Sequence, residues 1–423
     1  MITDCIMQRL HIWVYAMLLA VSVSCFKDPN FEPGFNGEDN GGRTLPERAF
    51  TQPSRRVMIM ISAGFNSLSD YLASDLEELA GGELPVGTSY SSDIVMVLER
   101  SVTSAGNYDT PSPASLYRLY KDFQGTVCRD TLMVWDPDTP LSSGQTIHEA
   151  LSFIQSRFPA KGYGIVISSH ASGWLPAGYY ESPSSFEKAS SGGPFRSIGQ
   201  DKTPRGGIEM ELKDFAEAIP MHLDYLLIDA CLSGCVEVAY AFRDIADVVG
   251  FSPAEVLANG FMYDTITTRL LARTPDPVSV CKDYFAFYDR QSGSSRSATI
   301  TAVAPGRMDS LVSVCRELFA KYRAEISRLK GKDVQGYFRY DHHYFYDLKD
   351  ILLNAGINSD EEARLDAALE ECILYKAATP YFLNFPIDVY SGMSMYLPSM
   401  GSPFLDNFYK TQIDWNKATE LLK

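Results

Sequence analysis

The sequence predicts an α/β protein built around a mostly parallel sheet with helices on both faces. Two observations carry that expectation. Several short runs are apolar at nearly every position instead of every second one, as strands buried on both faces must be. Between them lie segments whose apolar residues recur at helical spacing, so that strand and helix alternate along the chain.

Taken in order, Val57–Ser62 is the first such run, and Leu68, Leu72, Leu76 and Leu79 then mark one face of a helix. Asp93–Glu99 and Thr131–Trp135 read as the next strands, followed by a helix from Gln145 to Phe158 with Ile147, Leu151 and Ile154 on one side. Gly162–Ser169 is a strand that ends at His170. A polar stretch from Ala177 to Arg205, rich in Ser, Gly and Pro, reads as a loop, and Ile208–Ile219 as a helix. Asp224–Asp229 is a strand ending at Cys231, Val236–Phe242 a helix, and Asp247–Phe251 and Ser297–Val303 further strands. Leu311–Leu329 and Glu361–Ala377 are expected helices and Tyr390–Pro398 a last strand. Periodicity does not decide whether these late elements extend the first sheet or form a smaller subdomain.

Composition narrows the function classes. The chain has 423 residues, 45% of them hydrophobic and 21% charged, which excludes a disordered, collagenous or polytopic membrane protein. A net charge of −16 leaves no cationic footprint for neutralising phosphates, so nucleic acid is not an expected partner. The eight cysteines show neither a disulfide framework nor paired CxxC zinc spacing, and His342–His343 reads as part of a polar loop, not as a metal pair.

The amino terminus reads as an address. An apolar run from Ile12 to Val23, about twelve residues, is too short to span a bilayer but fits the core of a secretory signal. It ends in Val21-Ser22-Val23-Ser24-Cys25, small residues before a cysteine, which resembles a bacterial lipobox in which Cys25 is lipidated and anchors the chain to a membrane. Ser22 departs from that pattern, and a plain cleaved signal is the alternative. Residues 26–53 read as a flexible tether, with the folded part beginning near Arg55.

Two reactive side chains stand out because both follow strands, where the loops of an open α/β sheet converge. His170 follows Ile165–Ser169 and Cys231 follows Leu226–Ala230. If the two strands are neighbours, imidazole and thiol face one edge, and an imidazole that takes the thiol proton makes a nucleophile for acyl transfer. A buried core cysteine and a loop histidine would produce the same pattern.

Ser169-His170-Ala171-Ser172-Gly173-Trp174 resembles the His-Gly-x-Gly-Trp segment of clostripain-like cysteine peptidases, and Asp229-Ala230-Cys231-Leu232-Ser233-Gly234 resembles their nucleophile segment. The resemblance continues in Ser252–Glu255, Tyr346–Leu348 and Ser391–Pro398. It implies a caspase-like three-layer α/β/α sandwich, His170 as general base and acid, Cys231 as nucleophile, and cleavage after basic residues. It also implies an oxyanion site made by the backbone amides of Ala171 and Cys231. Ala171 stands where the family has Gly, and its Cβ would be strained if the position needs positive φ. On this reading residues 1–24 are the signal, 25–54 the tether, 55–305 the peptidase core, and 306–423 helices and a strand packed on it.

Asp229 ends an apolar strand, where an ionised carboxylate is costly unless paired; a substrate Arg or Lys would pair it, and a structural Asp capping a loop is the alternative. The resemblance likewise puts an Asp at this position in the pocket for the residue before the cleaved bond. The resemblance admits self-cleavage after one of Lys188, Arg196, Lys202 and Arg205 in the 177–205 loop, with a plain surface insertion as the other reading. Calcium is admitted by the resemblance, but with no DxDxDG loop the sequence assigns it no ligands. Cys235 reads as a packing residue. The competing function is a catalytically silent surface-binding protein on the same scaffold.

Overall fold

Arg56–Ala63 (β1) is buried along both faces and is an inner strand of the main sheet. The computed structural model describes residues 55–89, 92–103, 110–176, 179, 198–203, 206–339 and 343–423. The expected signal, Cys25 and the tether lie outside the described residues, as do His342 and most of the 177–205 loop with Lys188, Arg196 and Arg205.

After β1 come α1 (Ser69–Gly81), β2 (Ile94–Arg100), β3 (Ser115–Lys121), β4 (Val127–Val134), α2 (Gly144–Arg157) and β5 (Gly162–Ser168). A hairpin of β6 (Ile198–Thr203) and β7 (Gly206–Met210) leads to α3 (Leu212–Ala218), β8 (Tyr225–Asp229), α4 (Val236–Ala241) and β9 (Val249–Phe251). Next are α5 (Tyr263–Leu270), α6 (Pro277–Asp289), β10 (Thr299–Val303) and α7 (Asp309–Ile326). The remainder holds β11 (Tyr346–Asp347), α8 (Leu348–Ala355), α9 (Ser359–Cys372), β12 (Ile373–Ala378), β13 (Tyr381–Phe382), β14 (Phe385–Pro386), β15 (Ser394–Met395), α10 (Pro403–Gln412) and α11 (Asp414–Thr419).

Among the described residues the main sheet has nine strands in the order β12-β10-β9-β8-β5-β1-β2-β3-β4. From β9 to β2 neighbours are parallel, and the strands added at either edge are antiparallel. The expected fold class is the one found. Strand alternation sorts the core: Val57, Ile59 and Ile61 of β1 face one apolar cluster with α2, α3, α4 and α7, while Met58 and Met60 face a second with α1, α5 and α6. Gly164 of β5 makes room for its neighbour, since a Cβ there would lie 2.0 Å from the Tyr225 ring.

Several elements differ from expectation. The helix expected over Ile208–Ile219 begins only at Leu212, because Gly206–Met210 pairs with β6 as a hairpin. The helix expected over Glu361–Ala377 starts at Ser359 behind an Asn358–Glu361 capping box and stops at Cys372. Ile373–Ala378 then becomes β12, which pairs with β10 and extends the main sheet. Of Tyr390–Pro398 only Ser394–Met395 forms a strand, paired with β11. Sequence reading passed over β3, whose Arg118 and Lys121 interrupt its apolar pattern although Arg118 is buried. His343 is not in a polar loop but buried, its ring stacked 4.2 Å from that of Tyr346.

Candidate active site

Strand register places the two reactive residues beyond the same end of neighbouring strands. In the parallel β5–β8 pair Ser168 lies opposite Asp229, so His170 and Cys231 leave the sheet at the same height. The β1 end arrives beside them, since Ser62 pairs with Ser168.

Cys231 is half-buried, and the Val256 N–H donates to its sulfur at 3.4 Å. Burial pushes the thiol up to about 11; the Val256 N–H opposes this, Glu255 and Asp229 push it further, and Arg339 pulls it down. A thiol raised in this way favours its protonated form at neutral pH. Leu232, next in the chain, has φ 60°, a left-handed conformation costly for a residue with a Cβ. It is held there by its N–H donating to Ala254 O at 2.9 Å, and Gly234 N–H donates to Ser252 O at 2.7 Å.

The histidine loop is fixed by other contacts. Ser169 Oγ donates to Ala63 O at 2.8 Å and accepts from Gln200 N–H at 3.1 Å, while His170 O accepts from Gly199 N–H at 3.2 Å. Ser67, in the loop after β1, places its Oγ 2.9 Å from His170 Nε2. Ala171 is not among the described residues with positive φ, so its β carbon brings no such strain. The glycine this loop requires is Gly173, at φ +63°, where a Cβ would lie 2.5 Å from Leu232 O and 2.8 Å from the Phe345 ring. The histidine and cysteine loops thus touch backbone to backbone. Among the described residues neither the Ala171 nor the Cys231 amide donates a hydrogen bond.

Asp229 is 5% exposed, and its Oδ2 accepts from Phe261 N–H at 3.0 Å and Tyr263 OH at 2.8 Å. It makes no ion pair among the described residues. Burial pushes its carboxyl up to about 6 against those two donors. Gly260 packs so closely that a Cβ there would sit 2.1 Å from Oδ2. Phe261 and Tyr263, in the segment after β9, therefore touch Asp229.

Asp75 of α1 is buried nearby; burial, with Asp229 and Glu78, pushes it up to about 9, and the Ser168 hydroxyl opposes this. Sequence reading missed Asp75, Ser67 and Val256. Ser67 was within reach, because it follows a strand end at the same edge as His170.

Two further anchors come from distant sequence. Trp174 is fully buried, its ring 4.7 Å from Tyr396 and 5.0 Å from Tyr409. Glu237 of α4 accepts at Oε1 from Tyr396 N–H at 3.0 Å and Tyr409 OH at 2.7 Å. Cys235 is fully buried and unbridged, as a packing residue would be. Beyond the histidine loop, Asp201 of β6 is buried against Arg100 at 3.1 Å and accepts from Ser142 N–H at 2.9 Å. Among the described residues no three His, Cys, Asp or Glu side chains are arranged to hold a metal ion.

A mostly parallel sheet that delivers an imidazole and a thiol to one edge is the frame of an α/β cysteine hydrolase. The chain belongs to the clostripain family, which it matches over residues 60–422. Its structure is similar to that of an inactive zymogen C11 protease from Parabacteroides distasonis, with 27% identity, a TM-score of 0.70, and coverage of 87% of this chain and 99% of that one. It is also similar to a secreted C11 cysteine protease from Bacteroides thetaiotaomicron solved with an irreversible peptide inhibitor, at 22% identity and a TM-score of 0.69, covering 86% of this chain and 99% of that one. No curated protein matches the sequence. The protein is a cysteine protease.

Proposed function

We propose that the protein cleaves peptide bonds after Arg or Lys, with Cys231 as nucleophile and His170 as base and acid. The observation that carries the specificity is Asp229, a buried carboxylate near the thiol whose partners are neutral donors, so that a cationic side chain is its missing counter-charge.

In the first half-reaction His170 takes the Cys231 proton as sulfur attacks the scissile carbonyl. The oxyanion accepts from the Cys231 and Ala171 amides, which donate nowhere else among the described residues. The imidazolium then protonates the leaving amine as the C–N bond breaks. In the second, His170 takes a proton from water as its oxygen attacks the thioester, and returns it to sulfur as the acid product leaves.

The reading includes export and membrane attachment through lipidated Cys25, which the amino-terminal sequence supports. The test is turnover of short Arg-, Lys- and Leu-terminated amides by wild type, Cys231→Ala and Asp229→Asn. Cys231→Ala abolishes turnover, and Asp229→Asn loses the Arg and Lys substrates by about a hundredfold while leaving the Leu substrate as slow as before. Equal rates on Leu and Arg amides would remove the specificity, and turnover surviving Cys231→Ala would remove the nucleophile. A Cys25→Ser chain that stays in the membrane fraction would remove the anchor.

A further inference from the structure

We propose that Ser67 is the positioning residue of His170, holding the ring through Nε2 so that Nδ1 is the nitrogen that exchanges protons with Cys231. The inference rests on the assignment of His170 as the base.

Its ground is the 2.9 Å contact between Ser67 Oγ and His170 Nε2, and the way the Ser67 backbone is built. Asn66, 2% exposed, donates from Nδ2 to Ala63 O and to Gln200 O, each at 2.8 Å, and its Oδ1 accepts from Leu68 N–H at 2.8 Å. Ser169, the residue before the histidine, is tied to the same Ala63 carbonyl and to Gln200 N–H. On the other side of Ser67, Ser69 Oγ meets Ser101 Oγ at 2.7 Å as α1 begins. Ser67 is itself exposed, yet its main chain lies between two anchored residues, and the same Ala63 and Gln200 carry both its loop and the histidine loop. The hydroxyl is thus presented to the ring by the scaffold, with little side-chain freedom to lose on making the bond.

The chemistry follows from the two ring nitrogens. A neutral imidazole carries one N–H, and a base needs its lone pair on the nitrogen that meets the thiol proton. With Nε2–H donating to Ser67 Oγ, the lone pair is on Nδ1. Once the ring is charged, Nε2–H still donates to the same oxygen. Ser67 therefore selects a tautomer and an orientation and takes no proton itself. A neutral hydroxyl does this more weakly than a carboxylate would, so the expected effect is modest.

The test uses the full chain and an Arg amide substrate, comparing wild type with Ser67→Ala, Ser67→Thr and Ser67→Val, with Cys231→Ala and His170→Ala as references. Ser67→Ala and Ser67→Val lower kcat about fivefold with KM unchanged, and move the acid limb of kcat to lower pH because the imidazolium has lost an acceptor. Ser67→Thr restores both. A wild-type kcat and pH profile in Ser67→Ala would overturn the inference, as would a change confined to KM. A gain of activity in Ser67→Ala would overturn it too, by making the contact a lock on the resting enzyme. Turnover in His170→Ala would instead bring down the assignment beneath it, whereas dead references beside a normal Ser67→Ala bring down this inference alone.

Discussion

Residues 55–303 carry every group proposed to touch substrate, and residues 304–423 carry none, yet the two regions are not independent. The first keeps features that work against folding: Leu232 in a left-handed conformation, and the buried acids Asp75 and Asp229. The second supplies partners that fix the histidine loop and the helix behind the cysteine loop. Tyr396 and Tyr409 receive Trp174 from the histidine loop, and their N–H and OH groups close on Glu237 behind the cysteine loop. The division of labour is between strain and restraint, and the chemistry needs both.

The sharpest way to break the arrangement is where the two loops touch. Gly173→Ala puts a methyl 2.5 Å from Leu232 O at a φ of +63°, so one loop must move. Steady-state kinetics on an Arg amide are expected to show kcat/KM down about a hundredfold, the cost of roughly an ångström of misplacement. Next in size is the restraint itself. Tyr409→Phe takes one donor from buried Glu237, and urea unfolding is expected to lose about 2 kcal/mol.

A third effect runs the other way. Asp75 has its pKa raised from 3.8 to about 9, so the folded chain holds a proton that the unfolded chain releases. Its contribution therefore falls as pH rises from 3.8 towards 9. Asp75→Asn removes that loss and should raise Tm at pH 8, with the gain fading as pH falls to 4. A uniform change across pH would mean Asp75 is already ionised in the fold.

The catalytic region was the legible one. Its central strands are apolar throughout, and β5 and β8 end just before the two side chains whose chemistry stood out, so periodicity and strand-end placement singled out His170 and Cys231, while the cost of a buried charge and the resemblance added Asp229. The restraining region was harder to read because its contacts are made in space. Nothing near Glu237 in sequence announces Tyr396 or Tyr409. Ile373–Ala378 follows a helix with no glycine or proline between, and becomes a strand because the edge of β10 is there to pair with it. Ala171 invited concern about a missing glycine, but the left-handed turn falls two residues later, a distinction that only backbone geometry makes.

The β5–β8 register bears on what a cut would do. β5 precedes the 177–205 segment and β8 follows it, and they are neighbours in the sheet. Arg100 and Ser142 from before the segment grip buried Asp201, and Asn66 holds the Gln200 carbonyl. A chain severed between Tyr179 and Ile198 would therefore remain a two-piece particle, sewn by the sheet itself. It would run as two bands on a denaturing gel and as one peak on a sizing column.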